Sequence, residues 1–200
     1  MSDIGILGGT FDPFHTGHLC IARSAVKSGG MEKVILMPAK VSPFKVGREM
    51  ASEEDRLSMA GLAAEISPDI EVSRLEIESD GVSYTFRTLT TIHKMHPYDR
   101  YWLIVGSDQF LALESWYKGK DILENFQVIL ASRPGYKEEL IEEKIRRYTG
   151  TYGTAVRVLK DEMPDISSTM IKENIKAGKS ITGLVPDKIE AYINEHGLYK

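Results

Sequence analysis

The junction from Ile4 to His18 constrains this chain more than any other stretch. An apolar run, Ile4–Leu7, empties into Gly8-Gly9-Thr10-Phe11-Asp12-Pro13-Phe14-His15-Thr16-Gly17-His18, and a helical apolar pattern begins at Leu19. A short apolar run before turn residues reads as a buried strand. The order is therefore strand, glycine-rich turn, helix, and that order makes an anion site. Backbone can approach a phosphate closely at the glycines, while the helix N-terminus offers N–H groups and positive potential. His15 and His18 add side-chain donors at the same turn.

The rest of the chain repeats the alternation. Val34–Met37, Tyr101–Val105 and Val128–Ala131 read as buried parallel strands, with Ile70–Val72 and Val156–Leu159 as weaker candidates. Helical patterns lie between them. One runs from about Leu19 to Lys27 and stops at Gly29; another starts at Ser52, where Ser52 and Asp55 approximate a capping box, and runs to about Ala64. Further patterns cover Phe86 to Met95 and Glu138 to Tyr148. The alternation predicts an α/β, doubly wound domain with a mostly parallel, Rossmann-like sheet. Ser167 to Ala177 and Pro186 to His196 then read as two helices, with Gly178 and Gly197 as stops. The expected organisation is one domain over 1–200, with 166–200 as a small helical C-terminal part.

Bulk properties exclude several classes. A length of 200 residues fits one domain with a sizeable core. A net charge of −4 makes a poor general binder of nucleic acid, so an anionic ligand must be met by local positive groups. The single cysteine, Cys20, rules out an internal disulfide framework and argues for a reducing compartment. No apolar run approaches a membrane span, and the start lacks the form of a signal peptide. These features together indicate a cytoplasmic protein.

The first turn is neither G-x-G-x-x-G nor a Walker A loop, and the kinase signature set is missing. His15-Thr16-Gly17-His18 remains. The two histidines with Asp12 could ligate zinc, but no fourth ligand or H-E-x-x-H pattern supports that. A plainer reading makes His15 a helix cap and His18 a packed residue. Cys20, among Leu19, Ile21 and Ala22, reads as a small buried apolar residue rather than a nucleophile. A second anion feature is Ile166-Ser167-Ser168-Thr169-Met170-Ile171-Lys172, where hydroxyls at a helix start can cap N–H groups or hold phosphate oxygens. A third is the loop Lys40 to Arg48, with three cations, which either binds an anion or sits in solvent. Arg56 either joins those cations or faces water.

These residues resemble the nucleotidyltransferase superfamily that carries H-x-G-H and I-S-S-T-x-[RK] signatures. Within it, the sequence is most similar to bacterial nicotinate-nucleotide adenylyltransferases, over nearly its whole length. Gly8 to His18 matches the family opening, and Ile166 to Lys172 matches its second signature. Met37-Pro38-Ala39 with Pro43-Phe44-Lys45, Ser83-Tyr84-Thr85, Leu103 to Asp108 with Trp116-Tyr117, and the Val185 to Tyr199 tail also fit. The resemblance implies transfer of the adenylyl group of ATP to nicotinate mononucleotide, with Mg²⁺ arriving with ATP and no protein-built metal site. It implies that His15, His18 and Lys172 act in catalysis. Gly8, Gly9, Thr10, Phe11, Gly106, Asp108, Ile166, Ser167 and Thr169 would join them around ATP. Lys45, Thr85, Asp108, Trp116, Tyr117 and Arg133 would hold the mononucleotide, with Trp116 stacking on the ring and backbone N–H groups near Thr85 and Tyr117 receiving the carboxylate. Neither nucleic acid nor a membrane is an expected partner, and a homo-oligomer is left open.

The chain departs from the family pattern at three positions. Lys172 replaces the usual arginine, so a bidentate grip becomes a point charge. Phe44 stands where histidine is common, and Arg87 where an acidic residue often follows S-Y-T. The alternatives within the superfamily are phosphopantetheine and nicotinamide mononucleotide adenylyltransferases. A non-catalytic nucleotide sensor is the alternative of a different class.

Overall fold

The computed structural model describes residues 2–43, 50–132 and 136–200. Six strands form one sheet: β1 (Asp3–Gly9), β2 (Lys33–Pro38), β3 (Ile70–Val72), β4 (Arg100–Gly106), β5 (Gln127–Ala131) and β6 (Val156–Leu159). Their order is β3-β2-β1-β4-β5-β6, and every described pairing is parallel. The order reverses between β1 and β4. In open α/β sheets such a switch point leaves a crevice beyond the C-terminal strand ends, and ligands bind there.

Alternation along the strands splits the core between two faces. Leu7, Leu36, Trp102, Ile104 and Ile129 pack on one side with α1 (Thr16–Lys27), α2 (Glu53–Ala64), α7 (Ser168–Lys176) and α8 (Asp187–Glu195). Ile4, Ile6, Leu103, Val105, Val128 and Leu130 pack on the other with α3 (Thr85–Met95), α4 (Ser107–Ala112), α5 (Gly119–Asn125) and α6 (Glu138–Tyr152). A strand buried on both faces cannot alternate apolar with polar, which is why these strands read as continuous apolar runs. The two weaker candidates, at residues 70–72 and 156–159, are the edge strands β3 and β6. With one neighbour each, they carry less apolar sequence.

Helix ends follow local chemistry. Ser52 caps α2, its Oγ accepting from Asp55 N–H at 3.0 Å. Gly178 and Gly197 take positive φ just after α7 and α8, as stops do. Three expectations need correction. The pattern expected over Glu138 to Tyr148 runs on as α6 to Tyr152, where Gly153 in the left-handed region ends it. The first helix begins at Thr16 rather than Leu19, because His15 supplies its cap. Helices α4 and α5, joined by a 3₁₀ turn at Leu113–Ser115, are absent from the periodicity reading, being six and seven residues long. Cys20 is half-buried against the α1 side of the core. No helix among the described residues is long and apolar enough to cross a membrane.

Candidate active site

A cavity of about 700 Å³ opens at the switch point. Its floor is the C-terminal end of β1 and β4, and its walls come from the first turn, the β2 exit, the segment before α3 and the segment after α4. Of the expected residues, Gly8, Gly9, Thr10, Phe11, His18, Thr85, Gly106, Asp108, Trp116 and Tyr117 line it. Ser168 lines it too, so the two distant signatures meet at one cleft. The Ser168 hydroxyl fixes that meeting by donating to Pro13 O at 3.0 Å. The resemblance singles out Ser167 and Thr169 of the second signature, and it is Ser168 between them that lines the cavity.

The two glycines have different reasons to be glycine. A Cβ on Gly9 would stand 2.7 Å from the Phe11 ring, so Gly9 makes room for that ring. A Cβ on Gly8 would meet nothing within 4 Å. Gly8 therefore leaves its space to whatever occupies the cavity. Phe11 holds φ 52°, a backbone region unfavourable to a bulky side chain, and its ring is buried.

His15 is the N-cap of α1, and the cap is reciprocal. His15 Nδ1 accepts from His18 N–H at 3.4 Å, and His18 Nδ1 accepts from His15 N–H at 3.2 Å. A neutral imidazole that accepts at Nδ1 carries its proton at Nε2. Both rings are thereby set as Nε2–H donors. They stack 3.6 Å apart, and Phe11 and Phe14 close on His18 at 5.1 and 5.2 Å. The plain cap reading of His15 thus holds, and it is the means by which the pair is oriented. His15 is buried behind His18 and does not line the cavity.

The second signature is also a cap. Ser167 Oγ accepts from Met170 N–H at 3.2 Å at the start of α7. Ile166, Ser167, Thr169 and Lys172 lie at or just inside that start and outside the cavity lining. Lys172 Nζ lies 2.7 Å from Asp12 Oδ2. Asp12 is almost wholly buried, and its Oδ1 accepts from Tyr199 OH at 2.8 Å and Ala51 N–H at 3.0 Å.

Arg56 neither joins the loop cations nor faces water. It is 1% exposed, and its guanidinium donates to the carbonyls of Thr10 (2.9 Å), Ala39 (2.6 Å), Lys40 (3.2 Å) and Ala51 (3.3 Å). Burial pulls its pKa down, opposed by the nearby charges of Asp12 and Glu53. Arg56 joins the first turn to the β2 exit.

The far end of the cavity is aromatic. Trp116 is half-buried and Tyr117 exposed, just past the 3₁₀ turn. The Tyr117 ring lies 4.6 Å from Tyr84, and the Arg87 guanidinium sits over both, at 5.4 Å from Tyr84 and 5.7 Å from Tyr117. Glu114 anchors the 3₁₀ turn to α6 through Arg147 (2.8 Å), Lys144 (2.9 Å) and Tyr152 OH (2.7 Å). Hydrogen bonds from Arg147 and Lys144 hold the Glu114 carboxyl at about 2. Glu76 borders the cavity as well; burial pushes its carboxyl up, against the pull of the Thr88 and Ser83 hydroxyls. Sequence reasoning passes over Glu76 and Glu114, and weighs Asp12 only as a zinc ligand, because their partners lie elsewhere in the chain. Lys45 and Arg133, both expected to hold the mononucleotide, lie outside the described residues, as does Phe44.

No group of three or more His, Cys, Asp or Glu side chains among the described residues is gathered to hold a metal ion. Asp108, in the first turn of α4, is an exposed carboxylate on the cavity wall. One carboxylate suits a divalent ion that takes its remaining ligands from phosphate oxygens and waters.

Fold and site together define a doubly wound α/β domain with a switch-point cavity, one end of which is built from a glycine turn, helix caps and imidazoles. Residues 6–174 match the family model described as "Cytidylyltransferase-like". A curated Bacillus subtilis protein named "Nicotinate-nucleotide adenylyltransferase" is 34% identical over 202 aligned residues, covering all of both chains. A Desulfitobacterium hafniense relative named "Probable nicotinate-nucleotide adenylyltransferase" is 39% identical over 98% of this chain and 95% of its own. The fold also matches the solved Plasmodium falciparum nicotinic acid mononucleotide adenylyltransferase complexed with NaAD, with a TM-score of 0.81 at 19% identity, over all of this chain and 98% of that one. The chain belongs to the nicotinate-nucleotide adenylyltransferase family of the cytidylyltransferase-like nucleotidyltransferases.

Proposed function

We propose that the protein transfers the adenylyl group of ATP to nicotinate mononucleotide, forming nicotinate adenine dinucleotide and releasing pyrophosphate. The observation that carries this reading is the meeting of His18 and Ser168 in the lining of one cavity, at the sheet's switch point. The phosphate of the mononucleotide attacks the α-phosphorus of ATP; the bond to the bridging oxygen breaks, and pyrophosphate leaves with its electron pair. A phosphate monoester has a second pKa of about 6, so it arrives largely deprotonated and needs no general base. The chain's task is to align three groups and stabilise growing charge.

His15 and His18 donate from Nε2, directly or through their stacked pair, toward the transferring phosphate. Gly8, Gly9, Thr10 and Phe11 give it backbone and space, and Gly106 and Asp108 border the nucleotide from β4. Ile166, Ser167, Thr169 and Lys172 bring the α7 start and an ammonium. Thr85, Trp116 and Tyr117 receive the pyridine ring and its carboxylate, with Lys45 and Arg133 on the mononucleotide phosphate side. Mg²⁺ bound with ATP would shield the β- and γ-phosphates, with Asp108 beside it. Residues 1–200 act as one domain, with 166–200 as a helical part packed into the α1 side of the core, and the protein works in the cytoplasm.

The test supplies nicotinate mononucleotide, nicotinamide mononucleotide and phosphopantetheine separately with Mg-ATP and measures pyrophosphate. Release is expected with the first, well above the others. ATP binding without release from any of them would overturn the reading in favour of a sensor.

A further inference from the structure

Lys172 holds the second signature's positive charge, yet it is ion-paired with a buried carboxylate, Asp12. Asp12 is 1% exposed and takes three donors from three separate segments. Lys172 comes from α7, Ala51 N–H from the entry to α2, and Tyr199 OH from the segment after α8. Asp12 belongs to the first turn, three residues before His15. We infer that Asp12 and Tyr199 are positioning residues for Lys172, so that the segment after α8 helps to set the ATP end of the cavity. This rests on Lys172 acting toward ATP as proposed above.

The chemistry of the pair supports the assignment. An ammonium has three N–H donors. One is used on Asp12, and the lysine makes no other hydrogen bond to a described residue, which leaves two for phosphate oxygens. A lysine ammonium is a point charge without the pre-organised planar fork of arginine and loses more freedom per hydrogen bond formed, so an ammonium in an arginine's place gains from an external restraint. Asp12 supplies it on one oxygen, and Tyr199 with Ala51 N–H fixes the other. The tyrosine is itself held firmly. It sits at φ 66°, a backbone region a bulky side chain adopts when its surroundings dictate it. Burial, reinforced by the Asp12 charge, pushes its phenol well above the usual range, so it stays an O–H donor. The ring of Tyr199 also faces the ammonium, at 5.7 Å from its centroid.

The experiment is a double-mutant cycle of Tyr199→Phe and Lys172→Ala, read as ATP affinity by calorimetry and as kcat and KM for each substrate. Tyr199→Phe keeps the ring and removes one hydrogen bond. It is expected to weaken ATP binding or kcat/KM for ATP about three- to tenfold, the scale of one such bond. KM for the mononucleotide stays unchanged, and the melting temperature moves by a few degrees at most. In the Lys172→Ala background the same change has less than about a twofold effect, because the group being positioned is gone. Three results would each overturn the inference: full additivity of the two changes, a Tyr199→Phe protein with wild-type ATP parameters, or a change confined to the mononucleotide. Failure of the wild-type protein to release pyrophosphate would count against the proposed reaction instead, and the calorimetric arm would still decide the role of Tyr199.

Discussion

The two ends of the cavity are built by different means. At the end built from the two signatures, the imidazoles, the glycines and the α7 cap are oriented by neighbours a few residues away, and long-range contacts join the two signatures and hold Lys172. His15 and His18 cap each other within one helical turn, Ser167 caps α7, and Gly9 admits the ring of Phe11. At the aromatic end, orientation comes from afar. Trp116 and Tyr117 hang on a 3₁₀ turn that Glu114 ties to α6, thirty or more positions along the chain. The Tyr84 that faces Tyr117 leads into α3, beside a Glu76 held by Thr88. In the proposed function, the groups that meet charge are thus oriented mainly by local backbone geometry, and those that meet the ring by long-range braces. Damage to the first should appear in turnover, and damage to the second in affinity for one substrate.

The sharpest way to break this contrast is His18→Ala. Loss of one aimed donor should lower kcat by about 10²–10³, measured as pyrophosphate release at saturating substrates; near-normal turnover would remove the imidazole pair from the mechanism. Gly8→Val comes next. Its side chain enters open space in the protein alone, so the melting temperature should hold while KM for ATP rises about tenfold or more, the cost of overpacking a filled site. A fall in melting temperature with unchanged KM would show that Gly8 serves the fold.

Glu114→Gln probes the other end. It should raise KM for the mononucleotide about threefold with kcat nearly intact, and lower the melting temperature by about 2–4 °C, on the scale of one kcal/mol for a chain of this length. The pH dependence has a definite sign. The folded carboxyl sits at about 2 against an ordinary 4.5, so the unfolded chain binds more protons between those values. The Glu114 contribution is complete above about 4.5 and fades as pH falls toward 2. Melting curves across that window should fall more steeply for the wild type than for the glutamine variant. Arg87→Gln should have the smallest effect. An exposed cation over Tyr84 and Tyr117 should be worth about two- to fivefold in KM for the carboxylated mononucleotide. The amide-bearing analogue should barely respond; an equal change for both would assign Arg87 to packing of the rings.

The same contrast explains what could be read from the chain itself. The strands of the sheet, and the glycine and serine punctuation around α1, α2, α7 and α8, are local patterns, and the structure places them within a few residues of expectation. The His15 cap and the second signature are legible for the same reason. Asp12 is not, because its carboxylate draws on residues at positions 51, 172 and 199. Arg56 is not, because nothing near it in sequence announces that four backbone carbonyls will surround it. The short helices α4 and α5 escape periodicity because neither completes two turns.

Arg56 gauges the crevice. A stiff planar fork spans from the carbonyl beneath Thr10 to those of Ala39 and Lys40, so the distance between the two banks is set by the width of one guanidinium rather than by the slack of two loops. Lysine there would keep the charge and lose the ruler, leaving carbonyls on one bank without a donor.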